Sequence, residues 1–402
     1  MNFEVLILGT DANAYYMARC CYEAYKKKAY LIGKDRLAFT KFSNILQVSY
    51  EEKIWEKETF FEILENFAKE HKESKIVLIS TNETYTEFIT GNKEKLSKQY
   101  VYNFPDLKII KSLTNKENFY KTYENENLVF PKTIYYDCAK QDKKPDMPFP
   151  IVLKPSNVVE YNHLKFDDKH KIYKIENQDE LDKIIENIKK AGYKDKLILQ
   201  EFIPGDDSYL FDSVVYVNQE GKVEFLSFAQ IGLQERTKSM VGNAAVLING
   251  FNTTDGNIKK QAKEIKKFME NIHYQGFAEV DMKYDERDKT FKVLEINARQ
   301  GRCSYYVSAL GKNLVKVLVD DCLYNLKNEY EFLDQEVLLS FVPKGIIKKY
   351  IKNKEFKKKA LTLWKKVVKP MDAKLDKNFK RFLMLRKRWL HYYKEYKNSY
   401  WR

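Results

Sequence analysis

Along residues 3–80 the apolar positions repeat with two different periods. FEVLIL (3–8), AYLIG (29–33) and KIVLIS (75–80) are short, nearly continuous apolar runs of strand length. Between them Ala14, Met17, Ala18, Cys21, Tyr22 and Tyr25 recur at helical spacing, and so do Phe60, Phe61, Leu64, Phe67 and Ala68. Alternating strands and helices predict a parallel α/β sheet, in which ligands collect beyond the carboxyl ends of the strands. Gly9, Thr10 and Asp11 then stand at one mouth, and Ser80, Thr81, Asn82 and Glu83 at another. The same residues serve equally as turn formers and helix N-caps, and no G-x-G-x-x-G accompanies them.

Beyond about residue 110 the pattern changes. Pro145, Pro148 and Pro150 mark a loop. IVLKP (151–155) reads as a strand and DELDKIIENIKKAG (179–192) as an amphipathic helix closed by Gly192. KLILQEFIPG (196–205) is a strand that runs into a turn. Residues 210–217 and 222–229 are strand-like, and 257–272 are helical. GFAEVDMKYD (276–285) and KTFKVLEIN (289–297) follow, separated by the charged turn ERDK, and predict a hairpin with a longer loop. No internal repeat or low-complexity segment precedes the C-terminal tail.

The end of that hairpin, KVLEINARQGR (292–302), places an acid, an amide and two guanidiniums where a buried strand should be apolar. Side chains alternate along a strand, so Glu295 and Asn297 share a face, as do Glu279, Asp281 and Lys283 on the partner. Pairing about the turn sets Asp281 opposite residue 294 or 295. Unpaired buried carboxylates are costly. A hard divalent cation such as Mg²⁺ relieves this, since it takes oxygen ligands and is shared with nucleotide phosphates. The other reading is a solvated acidic face that needs no ligand. Arg299 and Arg302, just past the strand, point to an anionic ligand held between them and the metal. Lys154 projects its charge from a strand end, as snorkelling lysines also do. In QEFIPGDDS (200–208) the strand stops at Pro204-Gly205. Backbone groups exposed at such a break can read an adenine edge and a following Asp can accept from ribose hydroxyls, although Asp also favours plain turns.

Composition narrows the class. The 402 residues are 44% apolar and 32% charged, the balance of a folded protein with two or three domains. The best early apolar run, VLILG (5–9), follows Glu4 and precedes Asp11, so it reads neither as a signal peptide nor as a membrane span. Five cysteines without metal-like spacing read as reduced thiols of a cytoplasmic protein. The net charge of +14 is uneven. From Lys344 to Arg402 there are 21 Lys and Arg against 4 Asp and Glu, or +17, which leaves −3 for the preceding 343 residues. Trp364, Trp389 and Trp401 lie among those lysines and arginines. Such a tail suits an anionic membrane surface or nucleic acid. A helical subdomain with a solvated basic face is the plainer reading, and no dedicated nucleic-acid partner is expected.

Taken in order, Lys116 in TNKENFYKTYENENLVFPKT, Lys154 in IVLKP, the hinge QEFIPGDD, Asp281 in AEVDMKYD and then LEINARQGR resemble the ATP-grasp superfamily of carboxylate–amine ligases. LGTDANAYYMAR (8–19), KPSNVVEY (154–161), FIPGDDS (202–208), FAEVDMKYD (277–285) and EINARQGR (295–302) are similar to the D-aspartate ligases. Those enzymes add D-aspartate to the lysine side chain of the peptidoglycan stem peptide. The resemblance implies an α/β protein with an N-terminal α/β domain at 1–108, an ATP-grasp domain at 109–340 hinged near 200–206, and a basic helical segment at 341–402. It implies an ADP-forming ligase that uses ATP and Mg²⁺ and acts on an amino acid and a muramyl-peptide precursor. The setting would be the cytoplasm or the inner membrane face, with homo-oligomers allowed. Lys116 and Lys154 would hold the ATP phosphates. Glu201, Phe202 and Ile203 would border the adenine and Asp207 the ribose. Asp281, Glu295 and Asn297 would bind Mg²⁺, and Arg299 and Arg302 would neutralise the transferring phosphate. Many relatives cover the phosphates with a glycine-rich lid, but after Lys154 no glycine occurs until Gly192, so 156–163 reads as a modified lid. The alternatives are an ATP-grasp ligase for another amino acid or acceptor, and a tethering protein that works through its tail.

Overall fold

The computed structural model describes residues 2–140, 145–170, 172–236, 240 and 242–398, without the side chains of 116–118, 158–159 and 162. The N-terminal strands form a five-stranded parallel sheet in the order Leu46–Tyr50, Ala29–Gly33, Phe3–Leu8, Lys75–Ser80, Tyr100–Val101. The run FEVLIL is apolar throughout its interior because both faces are covered. Val5 and Ile7 pack with the helix Ala12–Tyr25, whereas Leu6 and Leu8 pack with Phe60, Leu64 and Phe67 of the helix Lys57–Glu70.

A four-stranded antiparallel sheet follows, in the order Thr133–Asp137, Lys196–Glu201, Ile151–Pro155, Tyr173–Ile175. Leu181, Ile185 and Ile188 of the helix Gln178–Lys190 seal one face. The largest sheet has eight strands. Its main path runs Thr290–Asn297, Gly276–Asp285, Leu210–Val217, Ala229–Gln234, Ala244–Asn249, Val337–Ser340. Val223–Ser227 and Glu331–Leu333 branch from it. The helix Ile258–Asn271 packs on it through Ala262, Ile265, Phe268 and Met269.

Two buried contacts fix the parallel sheet to the large one. The Asn103 amide donates to Asp321 Oδ2 (3.0 Å), the Val217 carbonyl (2.8 Å) and the Tyr216 hydroxyl (3.1 Å). Nearer the site, Asn13 donates to the Gln300 carbonyl (3.3 Å), and the Gln300 amide donates to the Ser80 carbonyl (3.0 Å). Buried hydrogen bonds of this kind rigidify what they join.

The helical C-terminal segment is present as Lys344–Tyr350, Lys354–Leu363 and the twenty-residue helix Phe379–Asn398. Arg381 anchors the last helix and is almost fully buried. It pairs with Asp376 (2.9 Å), donates to the carbonyls of Phe39 and Lys41 (3.0 Å each), and stacks 4.0 Å from the Tyr15 ring centre. Asp376 in turn accepts from Tyr15, Ser43 and the Asn44 amide. No helix among the described residues is long and apolar enough to cross a membrane. All five cysteines are free, and burial pushes the Cys20 and Cys21 thiols up to about 12.

Candidate active site

The large sheet brings its acids together through register. Asp212, Asp281 and Glu295 lie opposite one another across three adjacent strands, and Val214, Glu279 and Asn297 form a parallel row two residues along. Counting back from Asp285↔Thr290, regular pairing would set Asp281 against Leu294. The register instead slips by one residue between Asp281 and Met282, so that Asp281 faces Glu295. A one-residue shift turns a side chain to the other face of a sheet. This slip is therefore what carries Glu295 to the face that holds Asp281. Leu294, the extra residue, offers its carbonyl to the Tyr120 hydroxyl (2.6 Å).

Around this row the polar groups interlock. The Asn297 amide donates to Asp281 Oδ2 (3.2 Å) and Glu279 Oε2 (3.4 Å). The Tyr306 hydroxyl donates to Asp212 Oδ1 (2.9 Å). Arg299 lies 3.8 Å from Glu279 and pairs with Glu83 of the parallel-sheet domain at 3.0 Å. Gly301 passes so close to Glu279 that a Cβ there would fall 1.5 Å from Oε1. Burial raises the Glu279, Asp281 and Asp212 carboxyls above the usual carboxylate range, and their mutual repulsion raises them further. Burial alone would lower the Arg299 pKa, but Glu83, Glu279 and Asp11 outweigh it.

Asp212, Glu279, Asp281, Glu295, Asn297 and Arg299 line a cavity of about 790 Å³. Asp11 and Thr81 reach it from the parallel sheet, and Lys154 and Pro155 from the antiparallel one. Arg388, His391 and Tyr392 reach it from the last helix. Asp11 caps the helix Ala12–Tyr25 through the Ala14 amide (2.9 Å) and also lines the cavity. Asn82 is the N-cap of the helix Glu83–Thr90.

Of the residues singled out in the sequence, Asp281, Glu295, Asn297, Arg299, Arg302 and Lys154 share this cavity. Lys154 donates to Gln200 Oε1 (3.2 Å). Arg302 is tied to Glu235 (2.5 Å) and to the Ala244 carbonyl (3.1 Å), with its guanidinium 3.9 Å from the Phe341 ring centre. Glu201, Phe202, Ile203 and Asp207 are not among the described lining residues and occupy the seam between the four-stranded antiparallel sheet and the large sheet. Glu201 accepts from the Lys132 amide, Lys292 and Arg287. Phe202 lies beneath the ammonium groups of Lys174 and Lys283 (4.5 and 5.4 Å), and Ile203 is buried. Asp207 accepts from the Gln234 amide (2.9 Å), and burial raises its carboxyl. Lys116 opens the helix Lys116–Tyr123, and its side chain lies outside the described residues.

Sequence reasoning missed Asp212 as part of the acid row, Gly301, Glu235 and the three residues from the tail. A lone acid within the apolar run LFDSVVYV was a usable signal for Asp212. Nothing local marks Arg388 or His391, because it is the fold that returns the tail to the cavity.

No family model matches the chain. A D-aspartate ligase from Enterococcus faecium (strain Aus0004) is 33% identical over 414 residues, spanning 99% of this chain and 97% of the relative. Among solved structures, an L-amino acid ligase from Bacillus licheniformis superposes with a TM-score of 0.56 over 80% of this chain and 74% of its own, at 14% identity. The biotin carboxylase domain of Hydrogenobacter thermophilus 2-oxoglutarate carboxylase, solved with MgADP, ADP and bicarbonate, gives 0.59 over 83% and 72%, at 14% identity. The ADP complex of N5-carboxyaminoimidazole ribonucleotide synthetase gives 0.60 over 84% and 81%, at 12% identity. With this fold and this likeness the protein is an ATP-grasp ligase. More narrowly, the chain belongs to the D-aspartate ligase family.

Proposed function

We propose that the protein joins D-aspartate, through an acyl phosphate, to the lysine side-chain amine of a peptidoglycan stem-peptide precursor while ATP becomes ADP and phosphate. The observation that carries this reading is the row Asp212–Asp281–Glu295, which shares one cavity with Glu279, Asn297 and Arg299, in a chain similar over its whole length to a D-aspartate ligase. Four buried or half-buried carboxylates face one arginine whose charge is shared with Glu83. That surplus of negative charge fits a hard cation with oxygen ligands. Asp281, Glu295 and Asn297 would hold Mg²⁺, which neutralises phosphate oxygens as charge moves. Among the described residues no group of three His, Cys, Asp or Glu side chains is placed to hold a metal ion by itself.

An amine does not displace oxide from a carboxylate at a useful rate, so the carboxylate must first gain a leaving group. One carboxylate oxygen of D-aspartate attacks the γ-phosphorus, the bond to the bridging oxygen breaks and ADP departs. The lysine amine then adds to the acyl carbon, phosphate leaves with the C–O pair, and the surplus proton passes to solvent. Two anions meet in the first step, so the work of the protein is positioning and charge neutralisation. Arg299 neutralises the transferring phosphoryl group, and Arg302 supports it from its anchor on Glu235. Lys154 and Lys116 hold the phosphates under the 156–163 lid. Glu201, Phe202 and Ile203 border adenine, and Asp207 meets the ribose. Arg388, on the same cavity, offers positive charge to a substrate with two carboxylates. A reaction that draws on ATP would run in the cytoplasm.

The test is ADP release with a panel of D- and L-amino acids and a lysine-containing muramyl peptide. Turnover that requires D-aspartate together with the peptide is the expected result. Turnover with another amino acid or acceptor instead would reassign the substrate within the same superfamily.

A further inference from the structure

One face of the last helix is unlike the rest of the surface. Phe379, Phe382, Leu383, Leu390 and Tyr393 expose 74%, 50%, 50%, 70% and 44% of their area. Their spacing of i, i+3, i+4, i+11 and i+14 lines them up as one stripe along Phe379–Asn398. The buried residues of the helix, Arg381, Tyr392 and Tyr396, lie on the opposite side. Docking onto the protein therefore already uses the other face and leaves this stripe in water. Lys380, Arg386, Lys387, Lys394 and Lys397 are exposed within and beside the stripe. The Arg386 guanidinium stacks on Phe382 (4.8 Å) and Trp389 (4.9 Å). Glu395, the one acid of the helix, pairs with His391 at 3.0 Å. A purely solvated face gives no reason for five large apolar side chains in register.

We propose that this face docks onto an anionic lipid bilayer, with the helix lying in the plane of the interface. The charge argues for that occupant: the helix carries seven Lys and Arg against one Glu. An interfacial helix sinks its apolar stripe to the acyl boundary while lysine and arginine stems reach the headgroups. Nucleic acid has no use for Leu383 and Leu390, and a second copy of this chain would bring two strongly basic stripes face to face. Arg388, His391 and Tyr392 of the same helix line the cavity, so docking brings the cavity mouth close to the bilayer. The inference stands apart from the identity of the ligase substrates.

The full-length protein is floated with phosphatidylcholine vesicles that contain or lack phosphatidylglycerol. Binding should require phosphatidylglycerol and weaken with salt. Lys387→Ala with Lys394→Ala should weaken it roughly fivefold for each lysine removed. Phe382→Ser with Leu390→Ser should abolish it, with ADP release on soluble substrates unchanged. The two lysines are exposed, so if the serine pair misfolds, the lysine pair alone decides. Vesicle binding that neither pair alters would overturn the proposal. So would no binding at all, tighter retention on RNA than on vesicles, or a dimer in sedimentation that Leu390→Ser disperses.

Discussion

Arg299 stands between two acids with different tasks. Glu83, 3.0 Å from Nε, fixes the guanidinium from the parallel-sheet domain, and Glu279 at 3.8 Å draws it toward the acid rows. A preorganised neutralising donor in such a site accounts for roughly a hundredfold to a thousandfold in kcat. Arg299→Ala should therefore lower kcat at least roughly a hundredfold. Lys at 299 keeps the charge but loses the planar fork, and should recover only part of the rate. Gly301 makes a companion case. Its flank against Glu279 leaves no room for a methyl group, so Gly301→Ala must push the carboxylate away from Asn297. The expected outcome is a fall in kcat together with roughly 1–3 kcal/mol of lost stability, read by steady-state kinetics and urea unfolding. A variant with normal turnover would show that Glu279 does not need that position. The residue scale also marks the limit of the sequence. Alternation along 279–283 and 295–297 put the acids and the amide on shared faces, but it left Asp281 opposite 294 or 295. Strand periodicity cannot report a register slip, and here the slip at Leu294 decides which face Glu295 joins.

At the scale of elements, the seam between the four-stranded sheet and the large sheet is held by charge. Lys292 lies 2.8 Å from Asp285, 2.9 Å from Glu201 and 3.1 Å from Asp288. Arg287 bridges Asp285 (2.6 Å) and Glu201 (3.0 Å). The cluster ties the tip of the 276–297 hairpin to the end of the strand Lys196–Glu201, where the chain crosses between the sheets. Hydrogen bonds from Arg287, and then from Lys292, hold the Asp285 carboxyl well below the usual carboxylate range. A depressed folded pKa adds stability above the unfolded value of about 4, and that stability is lost as pH falls toward the folded value. Asp285→Asn should destabilise the protein by roughly 1.5–3 kcal/mol at neutral pH, because Arg287 and Lys292 lose a charged hydrogen-bond partner while Glu201 and Asp288 still face the lysine. The gap from wild type in urea unfolding should then narrow below about pH 4. A gap that stays constant with pH would remove Asp285 from this role. Elements were legible where the signal is local. FEVLIL, AYLIG, KIVLIS, IVLKP and GFAEVDMKYD coincide with observed strands. The strand-like stretch 222–229 is instead the strand Val223–Ser227 and the first residue of Ala229–Gln234. Both are buried almost throughout, so no change of period marks the break at Phe228.

On the scale of the whole molecule, the cavity is where three sheets meet, and acids from two of them face a lysine from the third. The large sheet contributes Asp212, Glu279, Asp281 and Glu295, the antiparallel sheet Lys154, and the parallel domain Asp11, while Glu83 holds Arg299 from that side. Without ligand, acids are crowded on one wall, burial and mutual repulsion hold their carboxyls above the usual range, and ionising them there opposes folding. Mg²⁺ and ATP bound together would supply positive charge to the acids and negative charge to the lysine and arginine, and would clamp the sheets onto one another. Ligand that binds only the folded state adds about 2.7 kcal/mol at a hundredfold excess over Kd. Thermal unfolding should therefore shift upward with ATP and Mg²⁺ together, and much less with ATP alone. Glu295→Gln separates this account from one in which the acids only hold the sheet together. Removing one of the crowded charges should raise the melting temperature of the ligand-free protein while lowering kcat and shrinking the Mg²⁺-dependent part of the shift. If the variant instead melts lower than wild type without ligand and keeps the full Mg²⁺ response, the acid row is structural and the cation belongs elsewhere.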